Sequence, residues 1–580
     1  MSVQQSYNTI KETLANVGSS FGLDLTAQDI KLEHPTNPEF GDLSSNIALT
    51  HWKDAKKTSG EAFSNPREFA ETLKSELAKK SVSADNVAGP GFLNFKIPQQ
   101  ELFEQLQLIV DKKADVVEKT NQGKKAIVEF SSPNIAKPFT IGHLRSTIIG
   151  SAVANLLEAT GFTVMRDNHL GDWGTQFGKL IYAIKEWGDI DTISTSDRPV
   201  KELVALYVKF HEEAEKNPAI EDDARSWFKK LEDGDVEARS LWQQCIDWSW
   251  IEFEKIYAQL DVTFDQEFDD GRGLGESFFE NKMQPIIDEL KTKNLLQESK
   301  DAQLIFFQDD KYPPLMIIKK DGATLYATRD LATDKYRIDQ YGKDILIVNE
   351  VGIEQSLYFQ QIFETEKLLG WIKDGQRVHV KHGLYRFKDV KMSTRKGNVI
   401  WLEDVLKEAK DKAKEMSTQN QDEMTTQIVG IGALKWNDLR RRSELDIVFD
   451  WSEILNMEGN SGPYIQYSYA RCKSVLRKAV DVDFNDFQVS DLTNEELAVL
   501  RLLYQFDEVV QHAASEFSPH FVCTYLFELA QTYNSFYNAV QIIKADNENE
   551  KKFRLQLTKA TSLILQKGLD LLGIKTVEQM

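Results

Sequence analysis

Ala126-Ile127-Val128-Glu129-Phe130-Ser131-Ser132-Pro133-Asn134-Ile135-Ala136-Lys137-Pro138-Phe139-Thr140-Ile141-Gly142-His143 decides the fold class. Its first five residues are a β-branched apolar run of the buried-strand type, and a Ser/Pro/Asn loop follows. Beyond His143, the apolar residues Ile148, Ile149, Val153, Leu156 and Leu157 recur at helical spacing over 144–160, and Gly161 can end that helix in a left-handed conformation. Phe162-Thr163-Val164-Met165 then reads as a second strand. Strand, helix and strand within about forty residues make a βαβ unit, which predicts a parallel sheet with a right-handed crossover.

Outward from this unit the pattern breaks and returns. Residues 190–260 read as charged helices with Trp227, Trp242, Trp248 and Trp250 on their apolar faces, which suits an insertion. The parallel-sheet pattern resumes at Ile345-Leu346-Ile347-Val348, followed by an amphipathic stretch over 355–369 and the strand-like Val378-His379-Val380. From residue 428 onward nearly every segment has a 3.6-residue period. The expected fold class is therefore α/β plus all-α: a split Rossmann-type parallel core with a helical insertion, an α+β N-terminal domain and a C-terminal helix bundle. The expected boundaries are 1–115, 116–189 for the first half of the core, 190–310 for the insertion, 311–400 for the second half, 401–458 for a helical connector and 459–580 for the bundle.

Composition narrows the class. The 580 residues exceed what one core usually serves, and 41% hydrophobic with 28% charged is not the signature of disorder. The N-terminal segment does not read as a secretory signal, and no run approaches the ~18 apolar residues of a membrane span. The three cysteines, Cys245, Cys472 and Cys523, have no spacing that builds a metal site, so the reducing cytoplasm is the expected compartment and no structural metal is expected. A net charge of −21 argues against indiscriminate binding of DNA or RNA. An RNA partner must instead meet local clusters such as Arg440-Arg441-Arg442 or residues 473–478.

Two motifs carry chemistry. In an open parallel sheet, ligands bind beyond the carboxyl ends of the strands, where helix N–H groups and the helix dipole favour phosphate. Thr140, Gly142 and His143 stand at such a helix entrance, with His143 able to donate to phosphate oxygens. Glu129, Asn134 and Lys137 bring an acid, an amide and an ammonium to the same loop. Far downstream, Lys391-Met392-Ser393-Thr394-Arg395-Lys396-Gly397 gathers cations and hydroxyls suited to the charge that develops on departing pyrophosphate. The pair describes a site for ATP and adenylate chemistry. Leu170-Gly171-Asp172-Trp173-Gly174-Thr175-Gln176-Phe177-Gly178 has the character of a further binding loop.

These residues resemble those of class I aminoacyl-tRNA synthetases, and specifically the arginyl-tRNA synthetase family, over essentially the whole chain. The resemblance rests on the first motif through Leu144-Arg145-Ser146-Thr147, on 170–178, Tyr326-Ala327-Thr328-Arg329-Asp330, Glu354-Gln355-Ser356-Leu357, 391–397 and Gly459-Asn460-Ser461-Gly462-Pro463-Tyr464, in that order. Thr140 stands where the family's first motif begins with histidine, Thr394 where the second generally has lysine, and Tyr358 where histidine is frequent. The resemblance implies a ligase that makes arginyl-adenylate from arginine and Mg·ATP and passes arginine to the terminal adenosine of tRNA(Arg), as a monomer, with tRNA bound first. Residues 1–115 would meet the tRNA elbow, the insertion the acceptor end, 401–458 the stem and 459–580 the anticodon.

Carried over, the resemblance implies that Asn134 and Gln355 hold the substrate's amino group, that Glu276, Tyr326 and Asp330 receive its side chain, and that Glu129 belongs to the same pocket. Ser132, Pro133, Ile135, Ala136, Lys137, Pro138, Phe139, Ile141 and Met392 would surround ATP. Thr140, Gly142, His143, Lys391, Ser393, Arg395 and Lys396 would serve the phosphates. A planar guanidinium offers donors that two carboxylates and a phenol can saturate, where an ammonium would leave groups unpaired. Two rivals share parts of this pattern: a tRNA-independent adenylyltransferase, which would show pyrophosphate exchange without RNA, and a non-catalytic RNA-binding relative.

Overall fold

The computed structural model describes residues 3–35, 37–60, 63–320, 324–387, 400–416, 422–479 and 486–580. Four parallel strands form the central sheet: β1 (Lys125–Glu129), β2 (Thr163–Asp167), β3 (Leu346–Gly352) and β4 (Arg377–His382), in the order β4-β3-β1-β2. β1 and β2 come from the first half of the core and β3 and β4 from the second. The chain thus winds outward in opposite directions from the β1/β3 boundary. That boundary is a topological switch point, the place where an open α/β sheet leaves a crevice for a ligand.

Helix α1 (Ile141–Ala159) crosses from β1 to β2 and starts three residues earlier than its apolar period predicts. The extra turn puts Gly142 and His143 inside the helix. Almost the whole helix is buried, and at Gly150 an added Cβ would lie 2.1 Å from Cβ of Phe130, so a side chain there would push the helix off the strand end. The insertion is helical through helix α2 (Val236–Leu260) and the helix Met283–Thr292, but not to residue 310. Leu296–Ser299, Ala302–Ile305 and Leu315–Ile318 instead form a three-stranded antiparallel sheet. Their runs are too short, and their alternation too weak, to stand out from the helical background. Helix α3 (Tyr326–Tyr341) precedes β3, and helix α4 (Ser356–Leu369) links β3 to β4. Helix α5 (Glu423–Leu439) lies in the mostly helical region that follows, where Ile447–Val448 pairs in parallel with Tyr385–Arg386.

The chain divides into two compact units. One contains Val117–Arg471, Glu508–Glu528 and Leu565–Met580, and holds the parallel sheet. The other contains Met1–Val116, Cys472–Asp507 and Leu529–Ile564. Within this second unit, the N-terminal helices and a three-stranded antiparallel sheet share one hydrophobic core that also takes in Leu497 and Tyr504. Buried Asp42 accepts from Ile97 N–H at 2.8 Å and from Arg501 Nε at 2.5 Å, tying the 37–42 loop to a helix more than 450 residues on.

Candidate active site

The loop after β1 is held in a costly shape. Ser131, Ser132 and Ala136 all have positive φ, at 70°, 46° and 57°, a region that costs an L-residue about 1–2 kcal/mol each. Cross-links hold it there. Ser132 N–H donates to Asn168 Oδ1 (3.1 Å), Ala136 N–H to Ser249 Oγ on α2 (2.9 Å), and Ile135 N–H to the Gly171 carbonyl (3.1 Å). The Gly171 N–H returns a bond to Pro133 O at 3.1 Å, and an added Cβ on Gly171 would meet Asn134 Oδ1 at 2.6 Å. The strain is thus absorbed by the 168–172 loop and the insertion helix, which fix the backbone where the strand ends.

At the start of α1, the Thr140 backbone N–H donates to Nδ1 of His143 at 3.0 Å. That bond leaves the proton of a neutral imidazole on Nε2. Burial drives the ring's pKa down to about 4, with nearby His382 and Lys137 opposing the cation further. His143 is therefore a neutral donor rather than a positive charge. Lys137 is also pulled below the usual lysine range by burial, with Glu276 acting against it, and its Nζ lies 3.4 Å from Asn134 Oδ1. The side chains of Ile135, Phe139 and Ile141 are fully buried in the core, Phe139 against Phe253 and Tyr257 of α2. Only their backbones can face a nucleotide. The expected Lys391, Met392, Ser393, Arg395 and Lys396 lie outside the described residues.

Over the carboxyl ends of β1 and β3 opens a cavity of about 320 Å³. Glu129, Asn134, Glu276, Tyr326, Asp330 and Gln355, drawn from five separate segments, all line it, and Ser132 does too. Thr140, Gly142 and His143 are not among its described lining residues. Register explains the floor: Glu129 is paired with Asp167 on β2 and with Asn349 on β3, so three polar side chains lie in a row at the strand ends.

The electrostatics separate the acids. Arg337 of α3, wholly buried, reaches Glu129 at 2.5 Å, Asp167 at 2.7 Å and Asp334 at 3.3 Å. Burial alone would push the Glu129 carboxyl up, but Arg337 and His169 outweigh it and hold it at about 2. Asp334 is also bound by Arg377 at 2.7 Å. Glu276 is paired with Arg329 at 3.1 Å, which holds Glu280 at 2.5 Å as well; burial still raises Glu276 above the ordinary carboxylate range. Asp330 forms no ion pair among the described residues. Its Oδ2 accepts from the Tyr358 hydroxyl, and burial pushes it up to about 6. Tyr326 is 68% exposed at the cavity mouth.

This differs from two carboxylates and a phenol waiting for a guanidinium, because Glu276 is shared with an arginine of the chain itself. Arg329, Asp334 and Arg337 are the residues that the sequence reading missed. A signal existed, since Asp330, Asp334 and Arg337 fall at i, i+4 and i+7 on one helical face. Nothing local distinguishes such a stripe from a solvated surface.

Residues 105–451 match the family model described as tRNA synthetases class I (R), catalytic domain, which sets the class. Residues 5–97 match the arginyl tRNA synthetase N terminal domain and 465–580 the DALR anticodon binding domain. An arginine–tRNA ligase of Clostridium perfringens is 41% identical over 574 residues, covering 96% of this chain and 98% of that protein. The chain belongs to the arginyl-tRNA synthetase family. The fold is shared with the arginyl-tRNA synthetase of Plasmodium falciparum (24% identity, TM-score 0.82, 99% of this chain and 98% of that one) and of Thermus thermophilus (22%, TM-score 0.81, 99% of each).

Proposed function

We propose that this chain joins arginine to tRNA(Arg) in two steps at the cavity over β1 and β3. A carboxylate oxygen of arginine attacks the α-phosphorus of ATP, pyrophosphate leaves, and a ribose hydroxyl of the terminal adenosine then takes the arginyl group as AMP departs. The observation that supports arginine is the partition of the acids: of the carboxylates in the cavity, Asp330 is the one left without a cation among the described residues. A buried carboxylate of that kind recognises a planar guanidinium by a two-point bond. Glu276 adds a second acceptor through the oxygen that Arg329 leaves free.

In this reading Asn134 and Gln355 hold the substrate's amino group and Tyr326 closes over its side chain at the mouth. The backbone of 132–141 cradles ATP at the N-terminus of α1, whose dipole favours phosphate even though the Ile141 N–H already donates to the Ile400 carbonyl at 3.1 Å and the His143 N–H to the Thr140 carbonyl at 3.0 Å. His143 donates a neutral Nε2–H to phosphate, and Gly142 admits the nucleotide closely. Thr140 adds a hydroxyl. Lys391, Ser393, Arg395 and Lys396 meet the charge that develops on pyrophosphate. Mg²⁺ arrives with ATP as part of the substrate. Catalysis then consists of positioning and charge stabilisation, with no covalent intermediate on the enzyme.

The reading extends to a cytoplasmic monomer, with 1–115 on the tRNA elbow, 190–310 at the acceptor end, 401–458 along the stem and 459–580 at the anticodon. ATP–pyrophosphate exchange with each amino acid, with and without total tRNA, tests it. Exchange that needs both arginine and tRNA is the expected result. Exchange driven by another amino acid would remove Asp330 from its role, and exchange without RNA would favour an adenylyltransferase of a different kind.

A further inference from the structure

Tyr358 stands on the first turns of α4, across the cavity from α3, and donates its hydroxyl to Oδ2 of Asp330. Its ring packs edge-on to Phe359 at 5.7 Å, so the phenol is fixed on its own helix. We infer that Tyr358 is the residue that sets arginine selectivity in this chain, by locking the plane of the Asp330 carboxylate so that one face of its acceptors meets the guanidinium fork. This deepens the function proposed above and rests on it.

The geometry gives the reason. An ionised carboxylate has about four acceptor positions. The other acids of the site are oriented by arginines: Glu129 and Asp334 by Arg337, and Glu276 by Arg329. Among the described residues Asp330 has no such anchor, and its aspartate side chain would otherwise turn about its terminal torsion, which is broad. A fork of parallel N–H donors rewards a fixed plane, whereas an ammonium, a point charge with rotatable donors, gains less from it. A hydroxyl is the suitable lock, since a cation would neutralise the carboxylate that has to attract the substrate. The lock also acts on ionisation. The groups facing Asp330 are Glu129 of β1, His169 of the loop after β2, Glu276 of the short helical segment 276–282, Asp334 of α3 and Tyr358 of α4, while Arg329 acts on the Tyr358 hydroxyl. Burial raises the Asp330 carboxyl and the acids around it add to that; His169 and the Tyr358 hydroxyl oppose the rise.

Arginine binding to wild type and Tyr358→Phe, followed by calorimetry and by the KM for arginine in tRNA-dependent exchange, tests the assignment from pH 5 to 8. In wild type, binding weakens as pH falls through about 6, where Asp330 takes a proton. Loss of the hydroxyl raises the carboxyl further, so the acid limb of the variant moves to higher pH. Its KM for arginine rises about tenfold or more at pH 7, as for loss of a hydrogen bond to a charged group, while kcat and the KM for ATP hold. Inhibition by lysine strengthens relative to arginine binding. In an Asp330→Asn background, the phenylalanine substitution costs nothing further. If Tyr358→Phe binds arginine with the same affinity and the same acid limb as wild type, or if its cost is undiminished beside Asp330→Asn, the inference is wrong while the ligase reading stands. If wild type itself neither binds arginine nor exchanges with it, the ligase reading fails first.

Discussion

At the scale of single residues, the cavity is an exercise in which acids are already spoken for. Glu129 and Asp334 are bound to Arg337 and Glu276 to Arg329, so among the described acids of the cavity only Asp330 has no cation on it among the described residues. Asp330→Asn should therefore lower kcat/KM for arginine on the order of a hundredfold or more, mainly through KM, in steady-state exchange. Glu276→Gln should cost less, since Arg329 already shares that carboxylate. A reversed order of the two effects would show that the guanidinium is received at Glu276. Glu129 yields a different prediction. Its carboxyl is held at about 2 against an ordinary 4.5, so its stabilising contribution is complete above about pH 4.5 and is lost as pH falls toward 2. Glu129→Gln should lower stability on the order of 3 kcal/mol at neutral pH, and urea melts should show the gap to wild type closing in acid.

Elements are fixed to each other by buried polar junctions. Arg145 of α1, fully buried, donates Nε to Asp438 of α5 at 3.1 Å, and its two Nη groups to the Leu445 and Ser443 carbonyls at 2.8 and 3.0 Å. The Tyr385 hydroxyl adds a bond to Asp438 at 2.7 Å. The junction joins the helix that carries His143 in its first turn to the helix that ends beside Arg440-Arg441-Arg442. Asp438→Ala leaves Arg145 buried with no carboxylate, and should destabilise the unit by about 3–5 kcal/mol in urea unfolding. An unchanged midpoint would mean that water or the carbonyls suffice. At the other close contact of α1, Gly150→Ala forces the helix away from Phe130, and a loss of about 1–3 kcal/mol is expected, read as a lower thermal midpoint. The arginine run itself is partly committed, because Arg440 and Arg441 both bind Glu453 and Arg442 lies 3.5 Å from Glu444. As an RNA contact it would have to exchange those partners for phosphate.

For the whole molecule, a charge of −21 and a polyanionic substrate have to be reconciled. Local contacts to phosphate release counterions whatever the net charge, so the logarithm of tRNA affinity should fall linearly with the logarithm of salt concentration. A flat dependence in filter-binding or anisotropy titrations would argue against phosphate contacts as the source of affinity. The parallel strands of the central sheet and the helical C-terminal third could be read from the chain, because hydrophobic period and turn residues are local properties; the order of the strands in the sheet could not. The antiparallel sheet inside 296–318 was not legible; its strands of four residues carry too little period to register. Of the candidate site, the six residues carried over by resemblance gather around one cavity, and the loop at 391–397 lies outside the described residues.

The sequence by itself determined the split parallel core and the position of the helix that follows its first strand, since period and turn residues are local, and its resemblance to a known family supplied the residues that meet in the cavity. Only the tertiary structure decided which of those residues are free to bind. Arg329 reaches Glu276 across 53 positions, Arg337 reaches Asp167 across 170, and Tyr358 reaches Asp330 across 28. Charge pairing is set by distance in space, and a chain carries no local sign of which acid a distant arginine will claim.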